Sequence, residues 1–358
     1  MAYTTVDDPT IYFSTTLYTG DGQQNRAVTI DGTGMQPNML WIKSRSLGEG
    51  HVLGDSVRGA TKKIIPNDSE AESTSATNIA SFTSTGFTVA NGGVDGAVNQ
   101  NSATYVSWAW KTDTSFTNDA SGTGIGTIDS TGSFSNDSGV SIVTYTGTGS
   151  NGTIKHGLNA EPKIVIWKRL DNAAGAVNWI VQSTTLGNQT KLVLNTTEAT
   201  STSSSFSETD DWTNTLIDLG TYEGQNDSNG TYVAYSFADV PGYSKISTYI
   251  GNGSSDGQFI YTGFMPAVVI RKNTASTTDW SIMDNKRFGY NTILPYIFPN
   301  SSAGETTNQN VNNIDFLSQG FKLRESDDDG NASGSTYLYL AFASNPFVTS
   351  TGIPTTAF

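Results

Sequence analysis

The sequence predicts an all-β protein made of three tandem antiparallel β-sandwich-like repeats of about 100 residues each. Three observations carry that prediction: a composition poor in helix formers, a pattern of six ordered landmarks that occurs three times, and turn residues placed between short apolar runs. Hydrophobic residues make up 35% of the chain, and the remainder is dominated by Gly, Ser, Thr and Asn, since only 15% is charged. Aromatics reach 11%, enough to supply small cores, which argues against a disordered polyelectrolyte. Thr, Tyr and Val between Gly, Asn and Asp turns favour strands.

The first landmark is Tyr-x-Gly-x-Gly, at Tyr18–Gly22, Tyr145–Gly149 and Tyr249–Gly253. Its glycines are expected to supply positive φ at a tight turn. A Gly followed by Pro comes next, at Gly34–Pro37, Gly157–Pro162 and Gly263–Pro266, and then an apolar run ending in Lys43, Lys168 or Lys272. The Pro-to-Lys spacing is six in all three copies. Proline cannot donate to a ladder, so each Pro is expected at the start of its strand. Ile164–Trp167 is apolar on both faces and reads as a central, buried strand. A second apolar run follows at His51–Asp55, Trp179–Ser183 and Trp280–Asp284. Phe82–Phe87 and Phe316–Phe321 share a hairpin-like phrase, which is looser at Leu216–Gly220. Each copy closes on an alternating aromatic strand, Tyr105–Trp110, Tyr232–Phe237 or Tyr337–Phe342, whose two faces pack inward and against a neighbour or solvent.

Boundaries follow from these landmarks: an N-terminal arm at 1–15, repeats at 16–113, 139–243 and 244–348, and a tail at 349–358. Residues 114–138, rich in Gly, Ser, Thr and Asp, are a linker or an exposed hairpin, and Asp239–Lys245 is a short joint that packs the last two units together. The one helical turn expected lies near Asp68–Ser73.

A net charge of −14 argues against nucleic acid and against anionic membrane surfaces as partners. With no cysteine, disulfides and thiolate metal sites are excluded. The N-terminus lacks the basic and apolar regions of a signal peptide, and no stretch of 18 apolar residues occurs, so synthesis in the cytoplasm without membrane insertion is expected.

Chemistry-bearing residues are few. Asp327, Asp328, Asp329 and Asn331 offer oxygens around a glycine and form a calcium candidate, without the ligand order or distal Glu of an EF-hand, against a plain solvated turn. Glu208, Asp210 and Asp211 beside Trp212 invite a glycosidase reading, with no opposing carboxylate that the sequence can place. His51 and His156 stand in different copies, so a shared metal or triad site is not expected. His51 occupies the slot of Trp179 and Trp280 and reads as packing, and His156 as a cap before Gly157. The tryptophans on landmark strands (Trp41, Trp108, Trp110, Trp167, Trp179, Trp280) are expected in the core, not as sugar platforms. No catalytic residue and no cofactor is assigned.

Met1–Thr5, Asp55–Lys62, Gly242–Lys245 before Tyr249–Gly253, Tyr261–Phe264, Leu317–Leu323 and Asn331–Gly334 together resemble a family of marine bacteriophage virion proteins, structural or tail-fibre-like, with a repeated domain of unassigned function. Members of that family often carry Cys in the closing strands, where this chain has Ser107 and Ser236. The resemblance implies a location in the virion, assembled in the host cytoplasm, and contributes no catalytic residue. The expected function is therefore a non-enzymatic virion protein, tail-fibre-like or a capsid decoration. Its expected partners are other virion proteins, a host-surface glycan and its own copies in a trimer. The alternatives are a lectin-like carbohydrate-binding adhesin and a capsule depolymerase.

Overall fold

The computed structural model describes residues 4–90, 97–187, 189–207, 212–308, 311 and 313–354. It is almost entirely β, and every paired strand is antiparallel. Helix among the described residues is limited to the short turns Pro9–Ile11, Ala120–Thr123 and Glu223–Asn226. The turn expected near Asp68–Ser73 is not helical. Asp68 Oδ1 accepts the Glu70 N–H, and Ser73–Thr74 pair with Lys62–Lys63 as a short strand. A local side-chain bond and cross-strand pairing outcompete one turn of helix there.

One strand order occurs in three sheets. The first sheet runs Phe13–Thr19, Thr104–Trp110, Met39–Ser44, Val52–Asp55. The second contains Val140–Thr146, Thr231–Phe237, Ile164–Arg169, Ile180–Ser183 in the same order, and the third Ser244–Ile250, Thr336–Pro346, Phe264–Asn273, Ser281–Asp284. The aromatic closing strand is thus interior each time, between the strand that carries the Tyr-x-Gly-x-Gly tyrosine and the strand that carries the buried Lys. The second sheet is longer, with Thr114–Asn118 and Ser130–Ser135 added at one edge and Thr190–Val193 and Ser201–Thr202 at the other. Residues 114–135 are therefore a hairpin and not a linker, and the strand Phe13–Thr19 already starts inside the expected N-terminal arm.

Pro37 and Pro162 precede their strands as expected, but Pro266 lies inside the ten-residue strand Phe264–Asn273. The register shifts on both sides of it, so a bulge absorbs the missing donor.

The period-2 alternation of the closing strands separates two kinds of core. One face, with Tyr105 and Ala109, Tyr232 and Ala234, or Tyr337, Tyr339 and Ala341, packs under a smaller local sheet. The other face, with Val106, Trp108 and Trp110, Val233, Tyr235 and Phe237, or Leu338, Leu340 and Phe342, enters a single core shared by all three sheets. At its centre the rings of Trp110, Phe237 and Phe342 meet pairwise, with centroids 6.1, 5.6 and 5.7 Å apart. The second face of each closing strand is therefore covered from within the chain.

Candidate functional site

Each Tyr-x-Gly-x-Gly turn is locked by the same set of contacts. The tyrosines stack on the first Tyr of the closing strand: Tyr18 on Tyr105 at 5.0 Å, Tyr145 on Tyr232 at 5.3 Å, Tyr249 on Tyr337 at 4.9 Å. Their hydroxyls donate to the carbonyls of Val98, Gln225 and Gly330 at 2.6–2.7 Å. A Cβ on the first glycine would stand 2.1–2.4 Å from the backbone oxygen of Gln100, Asp227 or Ala332, so no side chain fits. The second glycine supplies the expected left-handed turn, with φ of 69°, 74° and 69° at Gly22, Gly149 and Gly253. Buried Asn99, Asn226 and Asn331 complete the lock. Each accepts a loop N–H on Oδ1 and donates from Nδ2 to two or three oxygens. These asparagines carry no motif beyond their own residue type, which is why the sequence reading passed over two of them.

A second set of contacts runs between the sheets and closes cyclically. His51, beside the first sheet, bonds through Nε2 to the carbonyls of Phe298 and Ser301, which follow the third. Trp280, beside the third, donates to Val193 O on the second at 2.9 Å. Trp179, beside the second, donates to Ile65 O and Asp68 O, which follow the first, at 2.9 and 3.0 Å. Three backbone bonds follow the same cycle: Glu72 N to Leu170 O, Thr200 N to Thr274 O and Glu305 N to Arg45 O. Two of the three junctions add a buried polar contact. Tyr235 donates to Asp55, which is also held by Arg58, and Trp108 donates to Asp284, which is also held by Arg287.

His51 Nδ1 accepts the Trp41 indole N–H at 2.8 Å, which leaves the proton on Nε2 to donate to the carbonyls. The ring is therefore neutral, and burial, followed by the nearby Lys43 charge, pushes its pKa down to about 3. His156 is also buried. Its Nδ1 accepts the Leu158 N–H, as expected for a cap, and burial lowers its pKa to about 4. Lys43, Lys168 and Lys272 are buried at the ends of their strands and donate to loop carbonyls, such as Leu47 O, Val177 O and Ser276 O. Burial pushes each of them down to about 8.

The calcium candidate does not assemble. Asp327 Oδ1 caps the Asp329 N–H, the Asn331 amide is consumed by the loop lock, and Asp328 contributes its backbone carbonyl to Asn273 and Tyr337. Burial, then Asp327 and Asp279, push the Asp329 carboxyl up to about 6. Among the described residues no three His, Cys, Asp or Glu side chains are placed to hold a metal ion. Of the glycosidase candidates, Glu208, Asp210 and Asp211 lie outside the described residues. Trp212 is buried edge-to-face against Trp167, so it is not a platform. The landmark tryptophans are all buried.

Of the grooves on the described surface, two bear on function. The larger, of about 690 Å³, runs along the hairpin of the second sheet and is lined by Thr117, Asp119, Asp129, Thr131, Thr146 and Thr231 among others. The smaller, of about 420 Å³, lies at the joint between the second and third sheets beside Asp239, Lys245 and Gln319. Tyr261, 63% exposed, stands at its edge. Neither groove has a sequence motif, because strands distant in the chain build both.

Comparison with curated proteins finds no match. The family model for DUF7483, a domain of unknown function, matches residues 8–346, a span that takes in all three sheets and the interlocks between them. On that match the protein belongs to the DUF7483 family.

Proposed function

We propose that the protein is a structural component of a bacteriophage virion, tail-fibre-like or a surface decoration, that joins other virion proteins and contacts the host surface. In this reading the chain is three tandem β-sandwich-like units of about 100 residues. They close into one ring with pseudo-threefold symmetry. The observation that carries the structural part is the cyclic interlock, in which His51, Trp179 and Trp280 each bond to backbone of a different unit. A head-to-tail contact that closes after three steps makes a finite body, and no open filament grows from it. The sequence phrases shared with marine phage virion proteins support the location. Buried Asn99, Asn226, Asn331 and His51 are spent on loop locks and interlocks, which supports a structural role for the described interior.

Cryo-electron microscopy of the intact particle tests this reading. Density for the ring on the tail or its appendages supports a fibre part, and density tiled on the capsid supports a decoration. Absence of the chain from purified particles by mass spectrometry would overturn it. Purified protein is expected to release no reducing ends from host polysaccharide. The homotrimer keeps its own test in light scattering. A mass of 38.1 kDa would make the ring the whole assembly unit, and a mass three times as large would support the trimer.

A further inference from the structure

The larger groove has the chemistry of a carbohydrate site. We propose that it binds a neutral, polyhydroxylated ligand of the oligosaccharide class, an inference that rests on, and narrows, the host-contact part of the proposed function. Among the described residues the hairpin Thr114–Asn118 and Ser130–Ser135 is found on the second sheet alone, and the first and third sheets have four strands each. This addition creates a groove of about 690 Å³, inside the usual range for small-molecule sites.

Its lining is ordered in rows. Thr117 pairs with Thr131, which pairs with Thr144, and Thr146 pairs with Thr231, so hydroxyls follow one another across the sheet at strand spacing. The hydroxyls of Thr117, Thr131 and Thr146 are exposed and make no hydrogen bond among the described residues, so they are available as donors and acceptors. Asp119 and Asp129 stand just past the strand ends. Each uses Oδ1 on the hairpin turn, through Gly122 N and Ala120 N, and leaves Oδ2 open. A free carboxylate oxygen accepts from a ligand hydroxyl in a charge-assisted bond. Leu170, half-buried, adds apolar surface that suits the C–H face of a sugar ring. No Lys or Arg lines the groove, and the chain carries −14, so an anionic ligand is disfavoured.

The rim is held in shape before any ligand arrives. Asn118 donates to Ile125 O at 2.9 Å, Thr123 donates to Asn118 Oδ1 at 2.9 Å, and the Thr153 N–H donates to Thr127 Oγ1 at 2.8 Å. A rigid rim lowers the ordering cost of binding.

Saturation-transfer NMR on the full chain tests the site. The probes are neutral gluco-, manno- and galacto-oligosaccharides, with alginate and sulfated galactan oligomers as anionic controls. At least one neutral probe should bind. Thr131→Val with Thr146→Val removes two exposed hydroxyls without changing shape, and should weaken binding by about tenfold or more while leaving the melting temperature unchanged. Asp129→Asn keeps the acceptor for Ala120 N and should weaken binding too. The site is overturned if no neutral probe binds, if only the anionic probes bind, if these variants bind as the parent does, or if Tyr261→Ala in the smaller groove abolishes binding. The particle experiment reads out separately. A chain found in the virion that binds no oligosaccharide refutes the site alone, and a chain that binds but is absent from particles refutes the virion role alone.

Discussion

Truncating Phe342 to alanine tests whether the three sheets unfold as one body. Phe342 is fully buried, and its ring contacts Phe13, Trp110, Phe237 and Tyr243, with centroids 5.3–6.1 Å away. Phe-to-Ala changes in packed cores cost about 3–5 kcal/mol. Here the neighbours are large rings anchored on three other strands and on the turn at Tyr243, and cannot collapse into the space, so about 4 kcal/mol is a working figure. The size of the cooperative unit then sets the shift in melting temperature. With an unfolding entropy of about 2.1 cal/mol/K per residue, a unit of 358 residues drops by about 5 °C. A third sheet that unfolds alone, as a unit of about 105 residues, drops by about 18 °C and carries only a third of the signal. Differential scanning calorimetry of parent and variant distinguishes these cases. A single transition lowered by about 5 °C is expected. A split transition, with one small component displaced by about 18 °C, would refute the shared core as the unit of cooperativity.

Three further outcomes are expected. Gly251→Ala places a Cβ 2.2 Å from Ala332 O and should destabilise by several kcal/mol, whereas Gly175→Ala, at φ 80° with open space around it, should cost about 1 kcal/mol; urea titration of both variants checks the contrast. Ile166→Asp puts a charge into the shared core and should abolish cooperative folding, and an unchanged thermal melt would show that this strand is misplaced. Acid should loosen the junction at His51. Its folded pKa of about 3 lies below the ordinary 6.5, so the unfolded chain takes up the proton first and stability falls as pH drops from 6.5 towards 3. In His51→Gln the slope of stability against pH over that window should be shallower by about 1.4 kcal/mol per unit, and an unchanged slope would show that His51 is not buried neutral.

Much of the local structure was legible in the sequence. The closing strands, the buried run Ile164–Trp167, the positive-φ glycines and the packing role of His51 could all be read from residue type and spacing. Each depends on a few neighbouring residues, and turn chemistry or period-2 alternation reports on those directly. Pro266 was expected at the start of its strand because the cue is the same Pro in all three copies, and only the pairing partner reveals the bulge inside the strand. The threonine rows were invisible because Thr117, Thr131 and Thr144 lie on three strands, and only the register aligns them.

The sequence by itself determined a β-rich chain whose closing strands alternate between two faces, one turned inward and the other towards a neighbour or solvent. Only the tertiary structure decided what covers the second face: the shared core around Trp110, Phe237 and Phe342. Alternation tells which residues point together, but it carries no information on what lies opposite them. That depends on how whole sheets orient, and bonds such as Trp179 to Ile65 O or His51 to Phe298 O, between residues 114 and 247 positions apart, fix that orientation.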